Sequence, residues 1–228
     1  MGYVIDAPKV ISVAVNNSED RFPVRRVFCV GRNYAAHARE MGANPERELP
    51  FYFMKPTDAI VGTGVDVPYP PQTSNLHYEA ELVVAIGKSC LDVPIEDALN
   101  YVYGYAVGND LTRRDLQLEA REKSRPWDTG KGFDHSAPCG PIHRVDQVGH
   151  IKNARIWLSV NGQIKQDSNV NDLIWSVGEV IANLSSLFTL QAGDLIYTGT
   201  PEGVGPVVKG DMIIAGIDGL GKLETKIV

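Results

Sequence analysis

Short apolar runs separated by glycine and proline turns dominate the chain and predict a β-rich fold. Residues 24–31 contain a continuous apolar run that ends at Gly31, as a buried strand does. A second aromatic strand is predicted at the start of FYFMKPTDAIVGTG, and a Tyr- and Val-rich strand ends at Asp110. In ARIWLSVNGQIKQ, Asn161 and Gly162 separate two strand-like runs, and this pair of residues is typical of a hairpin turn.

Two segments have helical character. In NYAAHAREMG, Asn33 is a suitable N-cap and Gly42 is suitable just beyond the last turn, which predicts a short helix. NDLIWSVGEVIANLSSLF places its apolar residues, from Leu173 to Phe188, on one helical face and is the clearest helix of the chain. Residues 111–142 have little periodicity and predict a long loop of the kind that is usually functional.

Composition and charge restrict the function. A chain of 228 residues with a net charge of −6 lacks the basic surface that nucleic-acid binding requires. No apolar run approaches the length of about 20 residues needed for a membrane span, and the first residues have no signal-peptide pattern. The three cysteines are odd in number and widely spaced, which favours buried thiols in a reducing cytoplasm. We therefore expect a cytoplasmic protein that binds neither nucleic acid nor membrane.

The stretch LHYEAELVVAIGK contains two carboxylates one residue apart in a predicted strand. Because strand side chains alternate, Glu79 and Glu81 must share one face, while Leu82 and Val84 lie on the other and belong to the core. Two like charges side by side repel each other unless a cation or solvent separates them. The pattern fits either an edge strand with a solvated acidic face or a metal site.

A third carboxylate extends the second interpretation. Asp110 ends the next strong strand, and neighbouring strands lie about 5 Å apart, so Asp110 can form a triangle with Glu79 and Glu81. Three carboxylates with no histidine or cysteine suit magnesium or manganese better than zinc.

Two further features have both a functional and an ordinary explanation. His37 and Glu40 lie at positions i and i+3 of the predicted helix, where the carboxylate can orient the imidazole as a general base. The alternative is an exposed helix pair worth a few tenths of a kcal/mol. Lys131, in DTGKGFD, is either an active-site cation or a surface lysine in a loop.

Six ordered segments together resemble the fumarylacetoacetate hydrolase family, in particular its short single-domain members, which include fumarylpyruvate and acylpyruvate hydrolases. These segments are VGRNYAAHAREMG, FYFMKPTDAIVG, LHYEAELVVAIGK, YAVGNDLTRRDLQ, GKGFDHSAPCGP and GDLIYTGTPEGVGPV. PPQTSNLHYEAEL and RPWDTGKGFD are most similar to the fumarylpyruvate hydrolase branch. The resemblance begins near Val24, so we expect a lead-in segment at residues 1–23 and a catalytic domain at residues 24–228.

The resemblance implies an α+β, β-rich fold, a mixed β-sandwich roll with a few short helices, in a chain that forms a homodimer. It also implies a magnesium or manganese ion held by Glu79, Glu81 and Asp110. The other implied site residues are catalytic His37, Glu40 and Lys131, and substrate-binding Arg114, Gln117 and Thr200.

The implied activity is metal-dependent hydrolysis of the carbon–carbon bond of a 2,4-dioxo acid. The favoured substrate is fumarylpyruvate, cleaved to fumarate and pyruvate in gentisate-type catabolism of aromatic compounds. His37, oriented by Glu40, would deprotonate the attacking water, and Lys131 would stabilise the oxyanion or protonate the departing carbon. The same site also suits oxaloacetate decarboxylation or isomerisation of an oxo acid, and a non-catalytic ligand-binding domain is a more remote alternative.

Overall fold

The computed structural model describes residues 2–41 and 48–228, and strands predominate among them. The strands are β1 (Ser12–Ala14), β2 (Arg21–Pro23), β3 (Arg26–Gly31), β4 (Phe51–Lys55), β5 (Ile60–Val61), β6 (Leu76–Tyr78), β7 (Ala80–Ile86), β8 (Val102–Asn109), β9 (Thr112–Arg113), β10 (Ala137–Pro138), β11 (His143–Arg144), β12 (Arg155–Val160), β13 (Gln163–Asn169), β14 (Asp194–Tyr197), β15 (Gly205–Val207), β16 (Met212–Ile217) and β17 (Gly221–Lys226). The helices are α1 (Ala35–Glu40), α2 (Ile95–Ala98), α3 (Arg114–Glu122), α4 (Asp128–Lys131), α5 (Val145–Val148) and α6 (Val177–Leu187), with short 3₁₀ helices at Thr57–Ala59, Leu99–Tyr101 and Val170–Asp172. The predicted α+β, β-rich fold is confirmed.

A six-stranded sheet in the order β11–β8–β7–β14–β3–β4 occupies the centre of the fold. Its neighbouring strands are antiparallel except for the parallel pair β14 and β3. A four-stranded sheet, β13–β12–β16–β17, and a three-stranded sheet, β15–β6–β9, accompany it. Because β7 is paired on both sides, the interpretation of its acidic face as a solvated edge strand is wrong.

Both faces of β7 are buried. Leu82, Val84 and Ile86 lie in a core that includes residues of β12, β16 and α6. Val83 and Ala85 lie in a second core that includes residues of the β1–β2 hairpin. A strand covered on both faces needs a continuous apolar run, and residues 82–86 form such a run directly after Glu81.

The hairpin prediction is confirmed, whereas the longest helix begins later than its apolar pattern predicted. Asn161 and Gly162 connect β12 and β13 with φ values of 50° and 81°, and positive φ at both residues is what a type I′ turn requires. Helix α6 begins at Val177 because Ser176 and Glu179 form a reciprocal capping box there. Leu173 therefore lies outside the helix.

Asn33 is not the N-cap that the sequence predicted. Helix α1 begins at Ala35, and its N-cap is Tyr34, which makes no side-chain capping bond. The buried Asn33 amide instead donates to the Trp175 and Thr198 carbonyl oxygens at 2.9 and 2.8 Å. Its role is to tie the end of β3 to two distant segments. Gly42, expected just beyond the helix, lies outside the described residues.

The prediction of a long loop at residues 111–142 is wrong where α3 and α4 occur. The buried positions of α3 are Arg114, Gln117 and Ala120, at a spacing of three residues. Two of these three side chains are polar, so the helix has little of the apolar periodicity by which helices are recognised in a sequence.

The expected lead-in segment contains a short antiparallel hairpin, β1 and β2, whose Val13 and Phe22 are buried. The division at residue 23 remains a prediction. Within the described ranges, no helix is both long and apolar enough to cross a membrane.

Candidate active site

Three buried carboxylates meet where β7 begins and β8 ends. Glu79 immediately precedes β7, Glu81 lies within it, and Asp110 follows β8. The two strands are antiparallel, and the Asp110 amide donates to the Glu79 carbonyl oxygen at 2.8 Å, which holds the two acids side by side. One ligand oxygen from each of the three carboxylates lies within 4.8 Å of the others, and the three residues are 4%, 2% and 1% exposed. The structure thus brings together the residues that the sequence pattern grouped.

The predicted strand is interrupted at Glu79, and this separates His77 from the carboxylate cluster. Strand β6 pairs with β9 and β15, whereas β7 belongs to the central sheet. His77 is bonded to Asn75 through Nε2 at 2.9 Å and accepts from Arg114 Nε at 3.4 Å. Burial and then the charge of Arg114 lower the pKa of His77 to about 4, so the ring is a neutral acceptor that orients the guanidinium.

Three buried cations oppose the three carboxylates. Lys131 Nζ lies 2.7 Å from Glu79 and 2.8 Å from Asp110. Arg114 forms an ion pair with Glu79, and Lys55 Nζ lies 2.8 Å from Asp110 Oδ1. The interpretation of Lys131 as a surface lysine is wrong, since it is 2% exposed.

The charges of the cluster are unevenly matched. Burial tends to raise the pKa of Glu79, but Lys131 and Arg114 outweigh it and hold this pKa below its usual value. Burial, with repulsion from Asp110 and Glu79, raises the pKa of Glu81 well above its usual value. Burial opposes ionisation of Lys131, yet Asp110 and Glu79 raise its pKa, so the ammonium stays protonated. Glu81 is therefore the carboxylate whose charge is least compensated by the protein.

The donor set fits a hard divalent cation. All three groups offer oxygen, which magnesium and manganese prefer, and neither histidine nor cysteine belongs to the cluster. Asp110 Oδ1 receives no hydrogen bond of suitable geometry among the described residues, although Lys55 lies beside it. Both this oxygen and the raised pKa of Glu81 fit a bound cation, because a cation shared by the three carboxylates would stabilise the ionised form of Glu81.

The His37 imidazole lines the same cavity as the three acids, and the Glu40 carboxylate lies beside it. His37 Nδ1 donates to Glu40 Oε2 at 3.1 Å, which leaves Nε2 as the nitrogen available for proton transfer. The Gly203 amide donates to Glu40 at 3.1 Å and so fixes the carboxylate. His37 is 6% exposed and lines the cavity with Glu79 and Glu81, so the interpretation as an exposed helix pair is wrong for the imidazole.

The three predicted substrate contacts line this cavity as well. Arg114 and Gln117 lie on α3 and hydrogen-bond to each other. Helix α4 packs closely on α3 because Gly130 has no side chain: a Cβ there would lie 2.8 Å from the backbone nitrogen of Gln117. This close packing brings Lys131 to the carboxylates. Thr200 Oγ1 accepts a hydrogen bond, so its own hydroxyl hydrogen remains available to a ligand.

Sequence reasoning missed two buried residues that support the site. Lys55 donates to the Leu111 and Lys131 carbonyl oxygens as well as pairing with Asp110. The sequence feature that could have identified Lys55 is a lysine in a predicted strand otherwise composed of aromatic and apolar residues. Gln166 accepts from the Ala80 amide at 2.9 Å and donates to Thr200 at 2.8 Å, which joins β7 to the Thr200 loop. A glutamine in a polar strand gave no such signal.

Comparison with known proteins gives consistent matches. Residues 26–228 match the family described as fumarylacetoacetate (FAA) hydrolase C-terminal. Fumarylpyruvate hydrolase of Ralstonia sp. is 53% identical over 177 residues, covering 78% of this chain and 92% of that protein. Mitochondrial oxaloacetate decarboxylase of Dictyostelium discoideum is 44% identical over 198 residues, covering 86% and 90%. The crystal structure of fumarylpyruvate hydrolase from Pseudomonas aeruginosa in complex with Mn²⁺ and pyruvate has a TM-score of 0.97 at 53% identity, covering 100% of this chain and 99% of that one.

Proposed function

This chain belongs to the fumarylacetoacetate hydrolase family, and from that membership we propose that it is an enzyme that hydrolyses the carbon–carbon bond of an acylpyruvate. The favoured reaction converts fumarylpyruvate and water to fumarate and pyruvate. One observation carries the proposal: a buried three-carboxylate cluster, a protonated Lys131 and the His37–Glu40 pair adjoin a single cavity. The fumarylpyruvate hydrolases at 53% identity support the same acyl group.

The cofactor that fits is magnesium or manganese, held by Glu79, Glu81 and Asp110. When bound, a divalent cation at these residues polarises the keto and carboxylate oxygens of the 2-oxo acid. The bound Mn²⁺ and pyruvate of the Pseudomonas aeruginosa enzyme support this assignment.

His37 supplies the base. Its Nε2 accepts a proton from water while Nδ1 donates to Glu40, whose charge stabilises the imidazolium that forms. The water oxygen bonds to the acyl carbonyl carbon, and the bond from that carbon to the methylene carbon of the pyruvyl fragment then breaks. The electron pair passes to the pyruvyl fragment as an enolate, and a proton added at the methylene carbon gives pyruvate. The acyl group leaves as a carboxylic acid.

Lys131 is suited to stabilise the charge that develops. Its ammonium is buried and protonated at the metal-ligand cluster, so it can stabilise the oxyanion or give a proton to the departing carbon. Arg114, Gln117 and Thr200 offer hydrogen-bond donors to the oxo-acid end of the substrate. The buried position of His37 restricts access of bulk water to the reacting atoms.

Oxaloacetate decarboxylation is the second candidate, favoured by the Dictyostelium discoideum relative at 44% identity. Loss of carbon dioxide also leaves the enolate of a 2-oxo acid, but it requires no attacking water and hence no base to deprotonate it. The geometry of His37 and Glu40 therefore favours hydrolysis over decarboxylation. A non-catalytic ligand-binding role remains the more remote alternative.

A substrate panel tests the proposal. Purified enzyme with Mg²⁺ or Mn²⁺ is given fumarylpyruvate, acetylpyruvate and oxaloacetate, and the products are identified by chromatography. We expect fumarate and pyruvate in equal amounts and the highest kcat/KM for fumarylpyruvate. A higher kcat/KM for oxaloacetate would favour decarboxylation, and no turnover of any 2-oxo acid would favour a binding function.

The cellular setting that fits is a cytoplasmic homodimer acting in gentisate-type aromatic catabolism. The three cysteines are buried and free, as is usual in a reducing compartment. The N-terminal segment leaves Tyr3, Val4 and Ile5 between 78% and 102% exposed, an apolar surface that a second subunit would cover. Light scattering in solution tests the dimer: a mass near twice 24.9 kDa is expected, and a monomer would contradict it.

A further inference from the structure

Two arginines that the mechanism does not use line the same cavity as the carboxylate cluster. Arg32 follows β3, and Arg121 lies on α3. Within the described part of the chain, neither guanidinium forms an ion pair with a carboxylate. Arg121 Nη1 donates to the Met41 carbonyl oxygen at 2.9 Å, and the Arg32 guanidinium lies 5.4 Å from the centre of the Phe51 ring. Both retain donors for an anion.

These two cations act on each other. Burial, and then the positive charge of Arg121, lower the pKa of Arg32, and Glu48 opposes this without forming an ion pair. Like charges that share a cavity repel each other unless an anion lies between them. The carboxylate cluster, in contrast, has Lys131 and Arg114 as partners. Excess positive charge is therefore concentrated at the arginine end of the cavity.

The backbone conformation of Arg32 also indicates that its side chain has a function. Its φ is 56°, in the left-handed region that favours glycine and disfavours residues with a Cβ. A large cation thus occupies a position at which glycine would relieve strain.

Phe53 and Trp127 form an aromatic wall of the cavity, and ring contacts continue from it to Arg32 through Phe51, which is not a lining residue. Lys131 Nζ lies 5.1 Å from the centre of the Phe53 ring, and the Phe53 and Trp127 rings are 5.8 Å apart. Trp127 is 5.2 Å from Phe51, on whose ring Arg32 rests. A planar unsaturated chain suits such a wall, because its faces can lie against the rings.

We propose that Arg32 and Arg121 bind the terminal carboxylate of the acyl group, so that the enzyme selects acylpyruvates whose acyl group is a short unsaturated dicarboxylic acid. The inference rests on the proposed hydrolytic function and identifies the residues that determine its acyl specificity. Guanidinium groups pair with carboxylates through strong charge-assisted hydrogen bonds, and a dianionic substrate would relieve their mutual repulsion. A neutral acyl group would gain neither benefit.

The test compares fumarylpyruvate, which has the terminal carboxylate, with acetylpyruvate, which lacks it. We would measure kcat and KM with saturating Mg²⁺ for the wild type, Arg121→Gln, Arg121→Lys and Arg32→Asn. Arg121 is exposed, so its substitution leaves the core intact, and asparagine tolerates positive φ at position 32. Arg39→Gln is the matched control, because Arg39 is exposed on α1 and is not among the cavity residues.

We expect Arg121→Gln and Arg32→Asn each to lower kcat/KM for fumarylpyruvate by about 10- to 100-fold, mainly through KM, as loss of a charged hydrogen bond does. The fall for acetylpyruvate should be at least about tenfold smaller, and Arg121→Lys should recover part of the loss because it retains the charge. The inhibition constant for fumarate, but not for pyruvate, should rise in both variants. Arg39→Gln should leave kcat/KM unchanged for both substrates.

Equal losses with both substrates, or an undiminished preference for fumarylpyruvate, would overturn the arginine subsite while leaving hydrolysis established. Failure of the wild type to hydrolyse either acylpyruvate would overturn the proposed function and, with it, this inference.

Discussion

The Glu81→Gln substitution removes the least compensated charge of the carboxylate cluster while retaining its local hydrogen bond. The Gly199 amide donates to Glu81 Oε2 at 2.8 Å, and a glutamine oxygen can accept the same bond. Burial and repulsion by Asp110 and Glu79 raise the pKa of Glu81, so its ionised form costs stability at neutral pH in metal-free protein. We therefore expect metal-free Glu81→Gln to be at least as stable as the wild type.

The same substitution should strongly reduce stabilisation by metal. A cation at 100 times its dissociation constant stabilises the wild type by about 2.7 kcal/mol. For a chain of this size each kcal/mol raises Tm by about 2–4 °C, so the expected shift is roughly 5–10 °C. The variant, which lacks one of three charged ligands, should shift far less.

Differential scanning calorimetry measures both effects, first on protein freed of metal by chelation and then with Mg²⁺ or Mn²⁺ added. Glu224→Gln is the matched control, because Glu224 is an exposed glutamate of β17 and should leave the metal-induced shift intact. An unchanged shift in Glu81→Gln would refute the assignment of Glu81 as a ligand. A metal-free variant much less stable than the wild type would refute the reasoning about its charge.

Four further predictions concern the dyad, the oxo-acid end and the buried lysine. His37→Ala should lower kcat for acylpyruvate hydrolysis by on the order of 10²–10⁴, the usual contribution of a general base, and unchanged hydrolysis would contradict that role. Glu40→Gln should cost less in the same assay, because the imidazole and its geometry remain. Thr200→Val should raise KM for every 2-oxo acid in steady-state assays, and an effect confined to one acyl group would place Thr200 at the other end of the cavity. Lys55→Met should lower the free energy of unfolding, measured in urea, by about 3–5 kcal/mol, because it leaves Asp110 Oδ1 and two backbone carbonyl groups without their buried cation; a change below about 1 kcal/mol would contradict this.

The parts of the site that the sequence predicted are those in which one local rule fixes geometry. Glu81 at the start of β7 lies beside Glu79, which immediately precedes the strand, and the end of the antiparallel partner β8 supplies Asp110. Helical spacing likewise places His37 beside Glu40. In each case the neighbours in space are close in sequence or are brought together by strand pairing.

The parts that the sequence did not predict depend on tertiary contacts. Asparagine is a residue type favoured at N-caps, but the Asn33 side chain instead donates hydrogen bonds to the distant backbone carbonyl groups of Trp175 and Thr198. Helix α3 buries polar residues against the site, so its helical period has no apolar signal. Lys55 and Gln166 act through partners that lie 30 or more residues away, and no local pattern contains such pairs.

Product analysis in H₂¹⁸O tests the central claim most directly. Metal-loaded enzyme is incubated with fumarylpyruvate, and the products are examined by mass spectrometry, with a chelator-treated sample as the control. If His37 directs water to the acyl carbonyl, each fumarate formed carries one ¹⁸O in the carboxylate produced by cleavage, pyruvate appears in equal amount, and chelation stops both. Fumarate without ¹⁸O, or consumption of the substrate without release of fumarate, would contradict hydrolysis at this site.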